Sequence, residues 1–244
     1  MPRLRGILFD KDGTLLDYDA TWNPAYAEAA REVAGGDAAL ALRLLVETGW
    51  DAVAARARPG SLLAAATNDE IGAAWGALLP AARQRPDMGA WLDRIFMTVT
   101  ARTAVALVDL PVLFAGLRRR GLALGLATND SQGGARASLA AFGVVGDLDF
   151  LAGFDSGHGG KPDPGMVFAF CRRIDAQPSE IAVVGDNIHD LEMGRSAGAG
   201  LVVGVLSGNG TAADLDSHAD HLIGGVGDLA DLLDRLEGRH ENVT

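Results

Sequence analysis

Cysteine and long apolar runs are nearly absent from this 244-residue sequence. Its one cysteine, Cys171, excludes an internal disulfide and is typical of a reducing compartment. No apolar run approaches the roughly 20 residues of a membrane-spanning helix. The opening stretch MPRLRGILFD is charged too early for a signal peptide. We therefore expect a cytoplasmic protein without a membrane partner.

Positive charge is also scarce, because 21 Lys and Arg residues stand against 32 Asp and Glu residues, a formal net charge of −11. Nucleic-acid binding requires a basic surface, so this balance argues against a nucleic-acid partner. The same charge repels small anionic substrates at long range. An anion site would therefore need local devices, such as a bound cation, a lysine or a helix N-terminus.

Apolar residues make up 48% of the chain, which is enough for a sizeable core. Several short apolar runs lead into polar loops, and helix-like patterns separate them in the second half of the chain. These runs are RGILFD, LALGLATND, DFLAGFDSG, IAVVGDN and GLVVGVLSG. The alternation predicts an α/β fold, a Rossmann-like doubly wound parallel sheet with helices on both faces.

The segment from residue 18 to residue 102 has a different pattern. It is rich in alanine, has no strong strand pattern, and contains helix-like stretches at PAYAEAAREVAG, DAALALRLLVETG, NDEIGAAWGALL and DMGAWLDRIFMTV. We predict an all-helical insert at 18–102 within an α/β core formed by 1–17 and 103–244. The four tryptophans of the insert are interpreted as helix-packing residues: Trp22, Trp50, Trp75 and Trp91.

Polar clusters follow the predicted strands. In an open parallel sheet, ligands bind at the carboxyl ends of the strands, so these clusters should meet in one crevice. They are Asp10-Lys11-Asp12, Thr128-Asn129-Asp130, the loop containing Lys161, and Asp186-Asn187 with Asp190 beyond. Each cluster alone is weak evidence, because Asp, Asn and Thr are also common turn and cap residues. Together they form a site with complementary parts.

These clusters match, in order, the four motifs of the haloacid dehalogenase superfamily, which this chain resembles. The motifs are Asp10-x-Asp12-Gly13-Thr14, Thr128 at the end of a strand, Lys161 before Pro162, and GDNIHD with Asp186 and Asp190. The helical insert is similar to the small cap of the phosphoglycolate phosphatase and beta-phosphoglucomutase branch. The tail GVLSGNGTAADLDSHADHLIGGVGDL also resembles phosphoglycolate phosphatase-type members.

The resemblance implies a phosphoryl-transfer site. A carboxylate nucleophile divides the slow hydrolysis of a phosphate monoester into two easier steps. Asp10 is the candidate nucleophile, which would form an aspartyl-phosphate. Asp12 is the candidate acid/base, which would protonate the leaving oxygen and then deprotonate the attacking water. The resemblance further implies Mg²⁺ as cofactor, held by the carboxylates of Asp10 and Asp186 and the backbone carbonyl of Asp12.

The remaining site residues would bind the phosphoryl group. Thr128 would hold a phosphate oxygen through its hydroxyl, beside Asn129 and the backbone N–H groups that open the next helix. Lys161 would neutralise the transferring group and orient the nucleophile. Asp190 would act through a metal-bound water or by holding Lys161. Asp130 is interpreted as the N-cap of the next helix rather than as a metal ligand.

The predicted function is a Mg²⁺-dependent phosphatase for a small phosphorylated metabolite, with phosphoglycolate as the leading substrate. Asp12 argues against a haloacid dehalogenase, which lacks the second aspartate. A phosphomutase of the beta-phosphoglucomutase type uses the same aspartate pair and is the alternative. A phosphorylation-dependent binding protein is the alternative of another class. The sequence leaves open whether the protein is a monomer or a homodimer.

Overall fold

The computed structural model describes residues 3–238. Six parallel strands form one sheet in the order β5-β4-β1-β6-β7-β8, and two further strands, β2 and β3, form an antiparallel pair. The strands are β1 Gly6–Phe9, β2 Trp50–Asp51, β3 Arg56–Ala57, β4 Ala123–Ala127, β5 Phe150–Ala152, β6 Ile181–Gly185, β7 Leu201–Val205 and β8 His221–Ile223. The α/β class and the doubly wound parallel sheet are confirmed.

Helices cover both faces of the sheet and form most of the insert. They are α1 Tyr18–Val33, α2 Ala38–Glu47, α3 Leu62–Ala65, α4 Asn68–Leu78, α5 Met88–Thr103, α6 Leu110–Arg119, α7 Gln132–Ala140, α8 Gly165–Ile174, α9 Ile188–Ala197, α10 Ala212–Leu215 and α11 Leu229–Leu236. Within residues 3–238, no helix is both long enough and apolar enough to span a membrane.

Side chains of the central strand β1 alternate between the two faces, as the two-residue period of a strand requires. Ile7 and Phe9 belong to the hydrophobic cluster that contains residues of α6 and α11, whereas Leu8 belongs to the cluster of α8 and α9. The strand is fully buried. The chain crosses from β1 to β4 on one side and later to β6 on the other, so the strand order reverses at β1. A ligand crevice is expected at such a switch point.

The insert has a hydrophobic cluster of its own, built from α1 to α5 and centred on aromatic residues such as Trp22, Tyr26 and Phe96. It is helical apart from the short β2–β3 hairpin, which the sequence did not predict. The Asp51 side chain accepts hydrogen bonds from the backbone N–H groups of Val53 and Ala54, both at 2.9 Å, and so stabilises the turn of this hairpin.

The predicted start of the first insert helix, at Pro24, is wrong. Helix α1 begins at Tyr18, because the Asp17 side chain accepts a hydrogen bond from Ala20 N at 2.9 Å and acts as the N-cap. Pro24 lies inside the helix. The correction matters for function, since the extra turns carry Tyr18 and Trp22 to the crevice at the end of β1.

Candidate functional site

The predicted site residues lie together at the carboxyl ends of β1, β4 and β6. They line one cavity of about 70 Å³, closed on the opposite side by residues of the insert. The predicted members of the lining are Asp10, Asp12, Thr128, Asn129, Lys161, Asp186 and Asp190. The roles given to these residues stay predictions, but their convergence is a feature of the fold.

The turn after β1 brings the first aspartates against Asp186. The Lys11 carbonyl accepts hydrogen bonds from Leu15 N and Leu16 N at 2.8 and 2.9 Å, which folds the chain back directly after the strand. Gly13 has a φ of +87°, and a Cβ at this position would lie 2.5 Å from Asp186 Oδ2. Glycine is therefore required both by the backbone conformation and by the close approach of Asp186.

Lys161 joins two carboxylates of the site. Its ammonium group donates to Asp10 Oδ1 and, at 2.6 Å, to Asp190 Oδ1. Its backbone N–H donates to Asn129 Oδ1 at 2.8 Å, which fixes the loop that carries it. Burial opposes the charge of Lys161, but Asp10 and Asp190 outweigh burial and raise its pKa above the usual value. Two roles were predicted for Asp190, and the structure contains the contact that one of them requires, the contact with Lys161.

Three buried carboxylates form a cluster with the chemistry of a metal site. Oxygens of Asp10, Asp186 and Asp190 lie within 4.8 Å of one another. Burial raises the pKa of Asp186 well above its usual range, and repulsion from Asp10 and Asp190 adds to this shift. Lys161 neutralises only part of this charge. A hard divalent cation with oxygen ligands, such as Mg²⁺, fits this donor set.

The backbone N–H of Asn209, in the loop after β7, also contacts this cluster. Asn209 N donates to Asp186 Oδ2 at 2.8 Å, and Asn209 lines the cavity. The sequence analysis missed Asn209, because an Asn between two glycines in a loop carries no signal that separates it from a turn residue. The assignment of the Asp12 carbonyl as a metal ligand stays a prediction.

Asp12 lies on the same side of the turn as Asp10. Its Oδ2 is 3.1 Å from Lys11 Nζ, whereas its Oδ1 is buried and has no hydrogen-bond partner within the described chain. Burial raises the pKa of Asp12 to about 6, with Asp130 and Asp10 adding repulsion and Lys11 acting in the opposite direction. A carboxyl group that titrates near neutral pH can both donate and accept a proton.

Lys11 and Asp130 form a buried ion pair that the sequence analysis missed. Lys11 is fully buried and lies 2.7 Å from Asp130 Oδ2. The interpretation of Asp130 as a helix N-cap is wrong, because Ser131 is the N-cap of α7 and accepts from Gly134 N at 3.0 Å. No local sequence signal indicates this pair, because its two members are 119 positions apart in the chain.

The insert contributes an aromatic wall to the cavity. Trp22 stacks on Tyr26 with ring centroids 5.3 Å apart, and both line the cavity beside Tyr18. The hydroxyls of Tyr18 and Tyr26 are 2.8 Å apart. The prediction that the tryptophans pack between helices fits Trp75, which is fully buried. Trp22 also packs within the insert, but in addition it lines the cavity, which the prediction missed.

Two hydrogen bonds join the insert to the α/β residues at the cavity. Asn129 Nδ2 donates to the Ala65 carbonyl at 3.1 Å, and Asn68 Nδ2 donates to Asp130 Oδ1 at 3.4 Å. Asn68 was missed by the sequence analysis, which assigned it only to a helix start. In this arrangement the insert closes over the aspartates, and closure of this kind excludes water from a reacting centre.

The fold and the site define a class of protein. Residues 4–198 match the haloacid dehalogenase-like hydrolases, and the chain belongs to this family. Over 235 residues it is 28% identical to an N-acetylmuramic acid 6-phosphate phosphatase of Pseudomonas aeruginosa, with 96% of each chain covered. It is also 26% identical over 243 residues to a phosphoglycolate phosphatase of Escherichia coli, covering 93% of this chain and 91% of that relative.

Solved structures share the architecture over nearly the whole chain. A hydrolase from Pseudomonas syringae has a TM-score of 0.68 at 21% identity, covering 95% of this chain and 99% of that one. A candidate beta-phosphoglucomutase from Thermotoga maritima has a TM-score of 0.66 at 21% identity, covering 96% and 100%. At this level of identity the likeness shows the fold alone.

Proposed function

We propose that this hydrolase is a Mg²⁺-dependent phosphatase that cleaves a small phosphate monoester through an aspartyl-phosphate. The observation that carries the proposal is the geometry around Asp10. This carboxylate is bound by Lys161, clustered with Asp186, and placed two residues from a second carboxyl group, on Asp12, whose pKa of about 6 suits proton transfer. Relatives of nearly the full chain length that are named phosphatases support the same conclusion.

In the first step, an Asp10 oxygen bonds to phosphorus as the bond from phosphorus to the alcohol oxygen breaks. Asp12 gives its proton to the departing oxygen, which leaves as an alcohol. In the second step, water bonds to phosphorus, the bond to Asp10 breaks, and the water proton returns to Asp12. Both roles require a carboxyl group that gains and loses a proton near the working pH. Burial of Asp12 meets this requirement, because it raises the pKa of the carboxyl group to about 6.

The phosphoryl group would be held by Thr128, Asn129 and Lys161, which line the cavity beside Asp10. The cluster of Asp10 and Asp186, with the Asp12 carbonyl, would hold the divalent cation. When bound, that cation reduces the repulsion between the carboxylates and the phosphate. Lys161 adds positive charge at the same place and keeps the Asp10 carboxylate oriented, because it donates to one of its oxygens.

Phosphoglycolate is the first substrate to test, since the sequence resembles phosphoglycolate phosphatases and one of the relatives carries that name. N-acetylmuramic acid 6-phosphate is the second, after the name of the Pseudomonas aeruginosa relative. A small phosphorylated metabolite is the substrate class in either case. The division into an α/β core (1–17 and 103–244) and a cap (18–102), a cytoplasmic location, and a monomeric or homodimeric state are part of the proposal.

The test is phosphate release from a panel of these two esters, sugar phosphates, nucleoside monophosphates and p-nitrophenyl phosphate. Wild-type protein is assayed with Mg²⁺, with EDTA, and with EDTA followed by excess Mg²⁺, and Asp10→Asn is the blank. We expect release that EDTA stops and Mg²⁺ restores. Absence of release from every ester would overturn the phosphatase, and phosphorylation of Asp10 without release would then favour the mutase or the binding protein.

A further inference from the structure

The cavity has a rim of half-buried residues outside the buried aspartates. Asn187, His189 and Asn209 form this rim on the α/β wall, and residues 64–66, all alanine, form it on the insert. Thr128 and Lys161, which would hold the phosphoryl group, are only 2% and 8% exposed and lie deeper. A phosphoryl group bound between them would therefore leave the alcohol part of the substrate at the rim.

The loop after β7 is held against the start of α9 by backbone hydrogen bonds. Asn209 N donates to Asp186 Oδ2 at 2.8 Å, and Gly210 N donates to the Asp186 carbonyl at 3.0 Å. At Gly208 a Cβ would lie 2.0 Å from Asp186 Oδ2, so this close approach requires glycine. These contacts fix the loop that carries the Asn209 side chain next to the N-cap of α9, which is Asn187.

The three polar side chains of the rim have unused hydrogen-bonding groups. Asn187 Oδ1 accepts from His189 N at 3.1 Å, but Asn187 Nδ2 has no partner within residues 3–238. The side-chain amide of Asn209 and the imidazole of His189 have no hydrogen-bond partner in the same part of the chain. All three residues are half-buried rather than enclosed, so a ligand in the cavity can reach them. Amides offer both donors and an acceptor, as a hydroxyl group requires.

The rim offers no lysine or arginine to a second anionic group. Lys161 is the only Lys or Arg among the described residues of the lining, and its ammonium group is already bound to two carboxylates. Arg56 of the insert lies outside the lining and is 3.7 Å from Asp19. A carboxylate on the alcohol part would thus lie beside Asp186 without a Lys or Arg partner. Such an arrangement is unfavourable, because like charges repel and an unpaired charge is costly to desolvate.

We propose that Asn187, His189 and Asn209 bind the alcohol part of the substrate, and that this part is an uncharged polyhydroxy alcohol, such as glycerol or a sugar. The inference rests on the proposed phosphatase and narrows its substrate class. Hydroxyl groups of the alcohol bond to the unpaired amides and the imidazole, and its C–H groups pack against the methyl groups of residues 64–66. A polyol phosphate therefore ranks above phosphoglycolate and N-acetylmuramic acid 6-phosphate, which both carry a carboxylate.

Three esters with the same three-carbon skeleton test the preference. Glycerol 3-phosphate carries two neutral hydroxyl groups, propyl phosphate carries none, and 3-phosphoglycerate has a carboxylate in place of the terminal hydroxymethyl group. Phosphate release from each is measured with the full-length wild-type protein and Mg²⁺. We expect kcat/KM for glycerol 3-phosphate to exceed that for each of the other two esters by about tenfold or more.

Asn209→Ala and His189→Ala test the binding residues. Asn209→Ala keeps the backbone N–H that donates to Asp186. Each variant should lower kcat/KM for glycerol 3-phosphate by about five- to tenfold and for propyl phosphate by less than about twofold, since propyl phosphate has no hydroxyl group to lose. A defect in folding or in the metal site would slow both esters by the same factor. His218→Ala is the matched control and should change neither value, because His218 is also half-buried but lies outside the cavity lining.

Several outcomes overturn the inference while the phosphatase stands. They are equal kcat/KM for glycerol 3-phosphate and propyl phosphate, a higher value for 3-phosphoglycerate or phosphoglycolate, and variants that lose nothing or lose equally on both neutral esters. Absence of wild-type release from every ester overturns the phosphatase and the inference together. If the wild type accepts panel esters but none of the three-carbon esters, the variants are compared on the best sugar phosphate and on p-nitrophenyl phosphate, with the same expected difference.

Discussion

The two walls of the cavity differ in charge and in the way they are held. The α/β wall contains the acidic and lysine residues of the lining, which are Asp10, Asp12, Asp130, Lys161, Asp186 and Asp190. The insert wall is built mainly from Tyr18, Trp22, Tyr26, Leu63, Asn68 and Ile71, and none of its described lining residues is Lys or Arg. The first wall is organised by ion pairs, and the second by a hydrophobic cluster.

This difference separates two tasks. Buried charges are costly unless they are paired, so the positions of the carboxylates and lysines are tightly determined by their partners. Such positional control is what phosphoryl transfer requires of a nucleophile and an acid/base. An uncharged aromatic wall restricts the space beside them and excludes water. Substitutions in the first wall should therefore change the rate of chemistry, and most substitutions in the second should change stability.

Asp10→Asn should have the largest effect of any substitution in the α/β wall. We expect kcat to fall by on the order of 10⁴-fold or more, because an amide cannot form the aspartyl-phosphate. Acid-quenched wild-type protein should carry phosphate from a labelled ester, and the variant should not. Asp216→Asn changes an exposed carboxylate and should behave as wild type. Label retained by Asp10→Asn would show that another residue is the nucleophile.

The two buried lysines offer a sharper comparison. Lys161 and Lys11 each contact two carboxylates, but of the two only Lys161 lines the cavity. Lys161→Met should lower kcat by about 10²- to 10³-fold through lost charge stabilisation. Lys11→Met should instead lower the free energy of unfolding by about 3–5 kcal/mol, since it leaves buried carboxylates uncompensated. Steady-state kinetics and urea denaturation of both variants distinguish the catalytic effect from the effect on stability. An equal loss of kcat in Lys161→Met and Lys11→Met would contradict this distinction between the two lysines.

The pH dependence of stability should report the buried acid/base. The pKa of Asp12 is about 6 in the folded protein, above the usual value of 3.8, so the folded state binds more protons between pH 4 and 6. Its contribution to the free energy of unfolding is then complete below pH 4 and is lost as the pH rises to 6.

Comparison with Asp12→Asn isolates this effect, because the variant lacks the titrating group. In metal-free protein, the stability of the wild type relative to this variant should fall by up to about 3 kcal/mol between pH 4 and 6, at roughly 1.4 kcal/mol per unit of pKa shift. Urea denaturation across this range measures it. A difference that stays constant would mean that burial does not raise the pKa of Asp12.

A change in the insert wall should give the smallest effect. Tyr18→Phe removes one hydroxyl of the tyrosine pair, while Tyr26 keeps its contact with the Leu63 carbonyl. We expect the free energy of unfolding to fall by about 1 kcal/mol and kcat/KM to change by less than about threefold. A loss of kcat/KM of about tenfold or more would place the Tyr18 hydroxyl in the chemistry.

Strand periodicity and the order of the polar clusters were enough to predict the sheet and the candidate residues of its crevice. Buried strands followed by Asp, Thr or Lys carry a local signal, because the residues after parallel strands converge whatever the distance between them in the chain. The predicted start of α1 failed for an equally local reason. The stretch predicted as the first insert helix began at Pro24, whereas the N-cap is supplied by Asp17, seven residues earlier.

The amino-acid sequence by itself determined the α/β class, the family and the set of carboxylates and lysine that converge at β1. Tertiary structure alone decided that Lys11 pairs with Asp130 and that Trp22 lies beside Asp12. It also contains the contact between Lys161 and Asp190, which the sequence had left as one of two alternatives. These pairs join residues from 10 to 119 positions apart, and no periodic pattern links their members. Their contacts depend on how the insert packs over the sheet, a long-range property of the folded chain.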